Sequence, residues 1–229
     1  MKVLHIVAEV SVESGVAVVA TRLAVEQQGL GHQVCVASTG QKKCVSALVH
    51  YCVSEEQVRG VTFRRNWPHF LYFSWGMLLG LGKMVKDVDV VHVHSNWTFP
   101  VWWGAWLALR HQKTLVMSPH GCLDPVRLKH SGWKKALVGW IDRWLLRRAS
   151  VVHATCAAES AWIQAFLGKC ANARMRECGN GSPRQGAAVP RQCANARILE
   201  CANGSPRQGA AEPRRPKIVV VPNGIEEVR

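Results

Sequence analysis

The sequence predicts an α/β fold, a Rossmann-like parallel sheet sandwiched by helices. Short β-branched runs alternate with segments whose apolar residues recur at helical spacing, the pattern of successive βαβ units. Four of the runs end in polar signatures: VDVVHVHS ending at Ser95, LVMSPHG ending at Gly121, VVHAT ending at Thr155 and IVVVPNGIE ending at Glu226. Ligands of open α/β sheets bind at the carboxyl ends of parallel strands, so these four ends are candidate edges of one site.

Taken in order, Val3 to Val7 reads as a strand, and Val16, Val19, Ala20 and Leu23 then recur at helical spacing. Gly29 and Gly31 end that helix, and Gln33 to Ala37 restarts a strand. The stretch from Gly40 to Glu56 fits a loop with a short helix. Val61 to Phe63 is a strand, Leu71 to Val85 a helix and Val88 to Val93 a strand. Trp102 to Leu109 is helical, Thr114 to Met117 extended, Trp133 to Arg148 helical and Val151 to His153 extended. Ala157 to Leu167 forms a helix and Lys217 to Val221 a closing strand. The longest uncharged apolar stretch, Phe70 to Gly82, is shorter than the roughly 20 residues of a membrane span and is expected to be a buried helix.

A length of 229 residues, 48% of them hydrophobic, is enough for a sizeable core. The net charge of +14 favours anionic partners. No zinc finger, RNA-recognition signature or basic-region heptad accompanies it, so nucleic acid is not the expected partner. His5 and Glu9 interrupt the first apolar run, which argues against a signal peptide. Nine cysteines, an odd count, fit reduced thiols and a cytoplasmic location better than a disulfide framework.

One segment breaks the alternation. Cys170 to Gln192 and Cys193 to Arg215 are two copies of a 23-residue unit, identical at 18 positions. Each copy has few large apolar residues and several Gly, Pro and Arg, so burial cannot offset its ordering entropy. The expected organisation is one domain, residues 1–169 plus 216–229, with residues 170–215 a disordered tandem-repeat insertion. The repeat cysteines are spaced C-x7-C-x14-C-x7-C. Structural zinc sites start from cysteines about two to four residues apart, so no metal is expected there.

His120 is the leading candidate for chemistry. It follows a strand and precedes Gly121, which permits close backbone approach by a ligand; a loop histidine capping a backbone group is the competing explanation. His94, Ser95 and Asn96 end another strand and are placed along an acceptor cleft. His92 and His94 are expected on opposite faces of their strand, His92 inward, which excludes a shared metal unless the strand ends between them. Ser14 and Gly15 open the first helix, where backbone N–H groups and the helix dipole suit a phosphate. The helix from Trp133 carries Trp133, Leu137, Trp140, Ile141, Trp144 and Leu145 on one stripe, with Lys134, Lys135, Arg143, Arg147 and Arg148 around it. Its periodicity fits a core helix with a basic rim, and its composition also fits a helix lying on an anionic membrane.

The order and wording of these motifs resemble the N-terminal, acceptor-side half of family-4 glycosyltransferases (glycosyl transferase group 1) of the GT-B fold. The resemblance covers roughly residues 1–169 and 216–226, including the Gly31-His32 turn and the segment from Cys122 to Lys135. Where the family usually shows two glycines, this chain has Ser14 and Gly15. The resemblance implies a retaining, nucleotide-sugar-dependent transferase of cell-surface glycan or glycolipid synthesis. His120 would then face the donor sugar, with Ser14, Gly15, His94, Ser95, Asn96, Gly121, Asn223 and Gly224 contacting substrates. Asn223 and Gly224 belong to a Pro-Asn-Gly signature near the crossing into a nucleotide-sugar-binding half. The chain ends five residues after Gly224, so the donor-binding half is expected to be absent, or separate, and the chain inactive by itself. The implied partners are a glycan or lipid-linked acceptor and the inner face of an anionic membrane, met through Trp133 to Arg148. No tightly bound cofactor or metal is expected; a nucleotide sugar would serve the complete enzyme. The alternative is a truncated, non-catalytic remnant that binds glycan or membrane.

Overall fold

The computed structural model describes residues 1–11, 13–40, 48–49, 58–129, 132–168 and 216–221. The tandem repeat, Asn223 and Gly224 lie outside the described residues. Eight strands form one sheet in the order β3-β4-β2-β1-β5-β6-β7-β8. They are β1 (Lys2–Glu9), β2 (Gln33–Gly40), β3 (Leu48–Val49), β4 (Val58–Arg64), β5 (Val90–His94), β6 (Thr114–Ser118), β7 (Val151–Ala154) and β8 (Lys217–Val220). Among the described residues only the β3–β4 pair is antiparallel. The helices are α1 (Gly15–Gly29), α2 (Trp75–Lys86), α3 (Phe99–Arg110), α4 (Pro125–Lys129), α5 (Gly132–Arg148) and α6 (Ala157–Phe166).

The α/β parallel sheet expected from the alternation is thus present. Its order reverses between β1 and β5, and the carboxyl ends flanking such a switch point open a crevice. Alternation along each strand splits the core. Leu4, Ile6, Val91, Val93, Leu115 and Met117 pack with α2, α3, α5 and α6 on one face. Val3, Val7, Val90, Val116 and Val151 line the other face with Ala20 and Ala24 of α1. Gly104 of α3 packs so closely on the Ile6 side chain that an added Cβ would overlap its Cδ1, so a larger residue there would have to displace the end of Ile6.

Three elements differ from expectation. The helix placed over Leu71 to Val85 begins only at Trp75, because Ser74 caps it by accepting the N–H of Met77. The Phe70 to Gly82 stretch is not buried as a whole. Met77 and Leu81 face the core, while Phe70, Trp75 and Leu79 are exposed. The region between β2 and β4 contributes the two-residue strand β3, and α4 has no periodic signal in its five residues. Among the described residues no helix is long and apolar enough to cross a membrane, and Cys35, Cys122 and Cys156 are free thiols.

Candidate functional site

The carboxyl edge beside the switch point collects most of the expected residues. At the end of β1, Ser14 caps α1 by accepting the Ala17 N–H at 3.4 Å. Gly15 follows with open space where a Cβ would stand, so packing within the domain does not demand glycine there. After β5 the chain turns through Ser95 at φ 78. The Ser95 N–H donates to Ser118 O at 2.8 Å, locking this turn to β6.

His120 and Gly121 leave β6 with φ of 52 and 72. The left-handed region is costly for a histidine. The turn is held from α6, where Glu159 Oε1 accepts the Gly121 N–H at 2.6 Å. Glu159 Oε2 accepts the N–H and the hydroxyl of Thr155 at 2.7 and 2.6 Å. One buried carboxylate therefore ties the ends of β6 and β7 together.

Behind His120 lies a cluster of imidazoles on the α1 face of the sheet. His5 and His92 are register partners in β1 and β5, as are His94 and Ser118 in β5 and β6. His92 and His94 were expected on opposite faces; they share one, with ring centroids 4.1 Å apart. The reason is the two-residue period of a strand, which returns every second side chain to the same face.

Two hydrogen-bonded files run through the cluster. His5 Nε2 meets Gln27 Oε1 at 2.8 Å, His5 Nδ1 meets His94 Nε2 at 2.9 Å, and His94 Nδ1 meets His120 Nε2 at 3.0 Å. In the second, Ser118 Oγ lies 2.7 Å from His92 Nε2 and 2.8 Å from His153 Nδ1. His153 Nε2 donates to the carbonyl of Val221 at 2.9 Å. His94 is fully buried with both nitrogens engaged, so it supports His120 from behind and has no free edge for a substrate.

Burial disfavours the charged ring throughout the cluster. It pushes His5 down to about 4 against the hydrogen bond to Gln27, and His120 down to about 4, helped by His153 and opposed by Glu159. Burial, and after it the neighbouring imidazoles, also hold His92 and His94 well below the ordinary histidine value, and burial lowers His153.

Three of the rings, His5, His92 and His94, place one nitrogen each within 4.8 Å of the others. The His5 and His94 rings meet edge to edge, with centroids 5.2 Å and facing nitrogens 2.9 Å apart. Two nitrogens on one tetrahedral zinc ion, at about 2.0 Å each, would stand about 3.3 Å apart. The observed spacing is that of a hydrogen bond.

Asn96 is buried, and its amide donates to Asp142 Oδ1 of α5 at 2.7 Å. Trp102 Nε1 donates to Asp142 Oδ2 at 2.8 Å. Burial raises this carboxyl to about 6 against those hydrogen bonds. On α5 the expected stripe divides: Leu145 is buried, together with its neighbour Leu146 outside the stripe, whereas Trp140 is 66% and Trp144 37% exposed. The Arg148 guanidinium lies over the Trp144 ring, 4.3 Å from its centroid.

Gln27, Ser118, Asp142 and Glu159 were not singled out from the sequence. Glu159 alone had a local signal, a carboxylate at the third position of a helix preceded by Thr155 and Cys156.

Residues 14–181 match the Glycosyl transferase 4-like domain family. Among curated proteins no relative matches the chain. Solved structures with a similar fold include sucrose-phosphate synthase from Thermosynechococcus elongatus, with a TM-score of 0.49 and 14% identity over 72% of this chain and 45% of that one. A putative UDP-N-acetylglucosamine 2-epimerase from Listeria monocytogenes gives 0.47 and 14% over 72% and 42%. A glycosyltransferase from Rickettsia africae gives 0.45 and 16% over 74% and 40%. The chain spans less than half the length of each of these structures.

Proposed function

The chain belongs to the Glycosyl transferase 4-like domain family of GT-B fold glycosyltransferases, and from that premise we propose that it is the acceptor-side half of a retaining, nucleotide-sugar-dependent enzyme. In this reading residues 1–169 and 216–229 form the domain, and the repeat of residues 170–215 is an insertion in it. The complete enzyme takes a nucleotide sugar on a donor-binding half and transfers the sugar to a glycan or lipid-linked acceptor.

The observation that carries the reading is the meeting of His120, Gly121 and Ser95 at the carboxyl edge of β5 and β6, beside the switch point. His120 contacts the donor sugar. With its ring held neutral at neutral pH, it acts as a hydrogen-bonding group and not as a cation. Ser14 and Gly15 offer the N-terminus of α1 to a phosphate. Ser95 and Asn96 shape the acceptor side, His94 acts through His120, and Asn223 and Gly224 complete the cleft where the second half joins. No metal takes part.

The test is reconstitution. Fused to a compatible donor-binding half, the chain should transfer sugar, and His120→Ala should lower turnover on the order of 10²-fold, the usual loss for one preorganised polar contact. Full turnover by the variant fusion would remove His120 from the reaction.

We also propose peripheral contact with an anionic membrane, at the cytoplasmic face where glycolipid acceptors are found. The exposed Trp140 and Trp144 beside Arg147 and Arg148 support it, since interfacial helices combine aromatic anchors with basic residues.

A further inference from the structure

The file that begins at Gln27 has a direction. Gln27 presents its side-chain carbonyl to His5, and a carbonyl oxygen only accepts, so His5 Nε2 carries the proton. A neutral imidazole has one N–H, which leaves His5 Nδ1 as a lone pair. His94 Nε2, facing that lone pair at 2.9 Å, must then donate. The same step repeats at 3.0 Å, where the bare His94 Nδ1 accepts from His120 Nε2–H. His120 Nδ1 is the end of the file and has no hydrogen-bond partner among the described residues.

The second file has the same sense and an unambiguous anchor. The Val221 carbonyl accepts from His153 Nε2–H, so His153 Nδ1 accepts the Ser118 hydroxyl proton and Ser118 Oγ accepts from His92 Nε2–H. Main-chain carbonyls cannot be reversed, and this file lies against the first: the His92 ring stacks on His94.

We infer that Gln27, His5 and His94 are positioning residues for His120: their file holds its ring as the Nε2–H tautomer and offers bare Nδ1 to the cleft as an acceptor. The inference rests on the reading of His120 as a substrate contact and deepens it by setting the polarity of that contact. The ligand group that fits Nδ1 is a donor, a sugar hydroxyl. A phosphate or carboxylate oxygen offers no proton there, and its lone pairs would oppose the lone pair on nitrogen. This division of labour matches the phosphate contact proposed above, which lies elsewhere on the edge, at the start of α1.

Gln27 is 1% exposed on α1, at the far end of the file from the cleft. Its effect on His120 passes through two imidazoles that are themselves buried. A purely structural Gln27 would stabilise α1 on the sheet without deciding which nitrogen of His120 holds a proton.

The test is ¹⁵N NMR of the full chain labelled at histidine, with long-range proton–nitrogen correlations and His120 assigned through His120→Gln. Protonated and bare imidazole nitrogens resonate in separate regions, so each tautomer is read directly. At neutral pH, His5, His94 and His120 should all show protonated Nε2 and bare Nδ1. Gln27→Glu keeps an acceptor at the head of the file and should keep the pattern at His120. Gln27→Met removes the acceptor and should turn the His120 signals into a mixture of tautomers while the His153 signals stay in place. A native His120 with protonated Nδ1 would overturn the inference, as would a folded Gln27→Met protein with an unchanged His120. No activity enters this readout. If transfer by the reconstituted enzyme is untouched by His120→Ala while the tautomers are as described, the substrate contact fails and the file stands.

Discussion

Glu159 accepts the main-chain N–H of Gly121 across 38 residues of sequence at 2.6 Å. This contact lets a histidine sit in the left-handed region at the mouth of the site, because the following amide has a fixed acceptor. It also ties the β6 end to the β7 end through Thr155. Glu159→Ala leaves the N–H groups of Gly121 and Thr155 without that partner. At about 1–3 kcal/mol for each orphaned buried donor, the expected loss is about 3 kcal/mol. For a domain of this size that lowers the melting temperature by about 6–12 °C. Calorimetric melting of the variant measures it, and a shift under about 2 °C would mean that the turn is held by something else.

The imidazole cluster should make the protein acid-labile. His5, His92, His94, His120 and His153 all have folded-state values below the ordinary 6.5, those of His5 and His120 near 4. Between those limits the unfolded chain binds protons that the native state refuses, so stability rises with pH across the window and falls as pH drops from about 6.5 toward about 4. Asp142 has the opposite sign. Its folded value is raised to about 6 from 3.8, so the native state takes up a proton first and gains stability as pH falls through that range. One carboxyl opposes five histidines, and each proton difference is worth about 1.4 kcal/mol per pH unit, so the histidines decide the slope. Urea unfolding at pH 7.5, 6.5, 5.5 and 4.5 should give steadily falling midpoints. A midpoint constant over that series would show that these imidazoles titrate alike in the native and unfolded states.

The sequence made the sheet legible because each strand carries β-branched residues and most helices show their own period. It also placed His120, Gly121 and Ser95 at strand ends. What it hid was partnership. His5 begins the chain as one polar residue in an apolar run, and only the β1–β5 register sets it against His92. Gln27 sits among ordinary polar helix residues and is distinguished only by its contact with His5. Asp142 interrupts an apolar stretch of α5, and its reason is the pair of donors Asn96 and Trp102, each at least 40 residues away. Trp140 and Trp144 share helical spacing with Leu145, but α5 presents Leu145 and Leu146 to the core and leaves both tryptophans outside. Period identifies a helix, and the neighbouring layer decides which arc of it is buried.

Those tryptophans give a direct test of membrane contact. If Trp140 and Trp144 enter a lipid interface beside Arg147 and Arg148, the protein should pellet with vesicles containing anionic lipid at low salt. It should be released as the Debye length shortens from about 10 Å at 0.1 M to about 3 Å at 1 M salt. Trp140→Ala together with Trp144→Ala should weaken pelleting without lowering the melting temperature appreciably, since both rings are exposed. Equal recovery with neutral and anionic vesicles would leave the helix a rim of the fold.

The 229-residue chain tested by itself should bind nucleotide sugars weakly. The GT-B arrangement places its cleft between two domains, and in the proposed function this chain supplies the acceptor side. On its own edge a donor would meet the N-terminus of α1, the Gly121 turn and Nδ1 of His120, without the wall that a second domain would supply. A cleft open on one side loses both the positioning of the reacting groups and the exclusion of water that strengthens polar contacts. The Gly121 amide is already committed to Glu159, which removes one donor that a diphosphate could have used. What remains supports an affinity no better than about millimolar, near −4 kcal/mol. Titration calorimetry with uridine, guanosine and adenosine diphosphate sugars would measure it. Micromolar binding, or sugar transfer by the chain without a partner half, would show that this sheet edge holds the donor unaided and would overturn its assignment to the acceptor side.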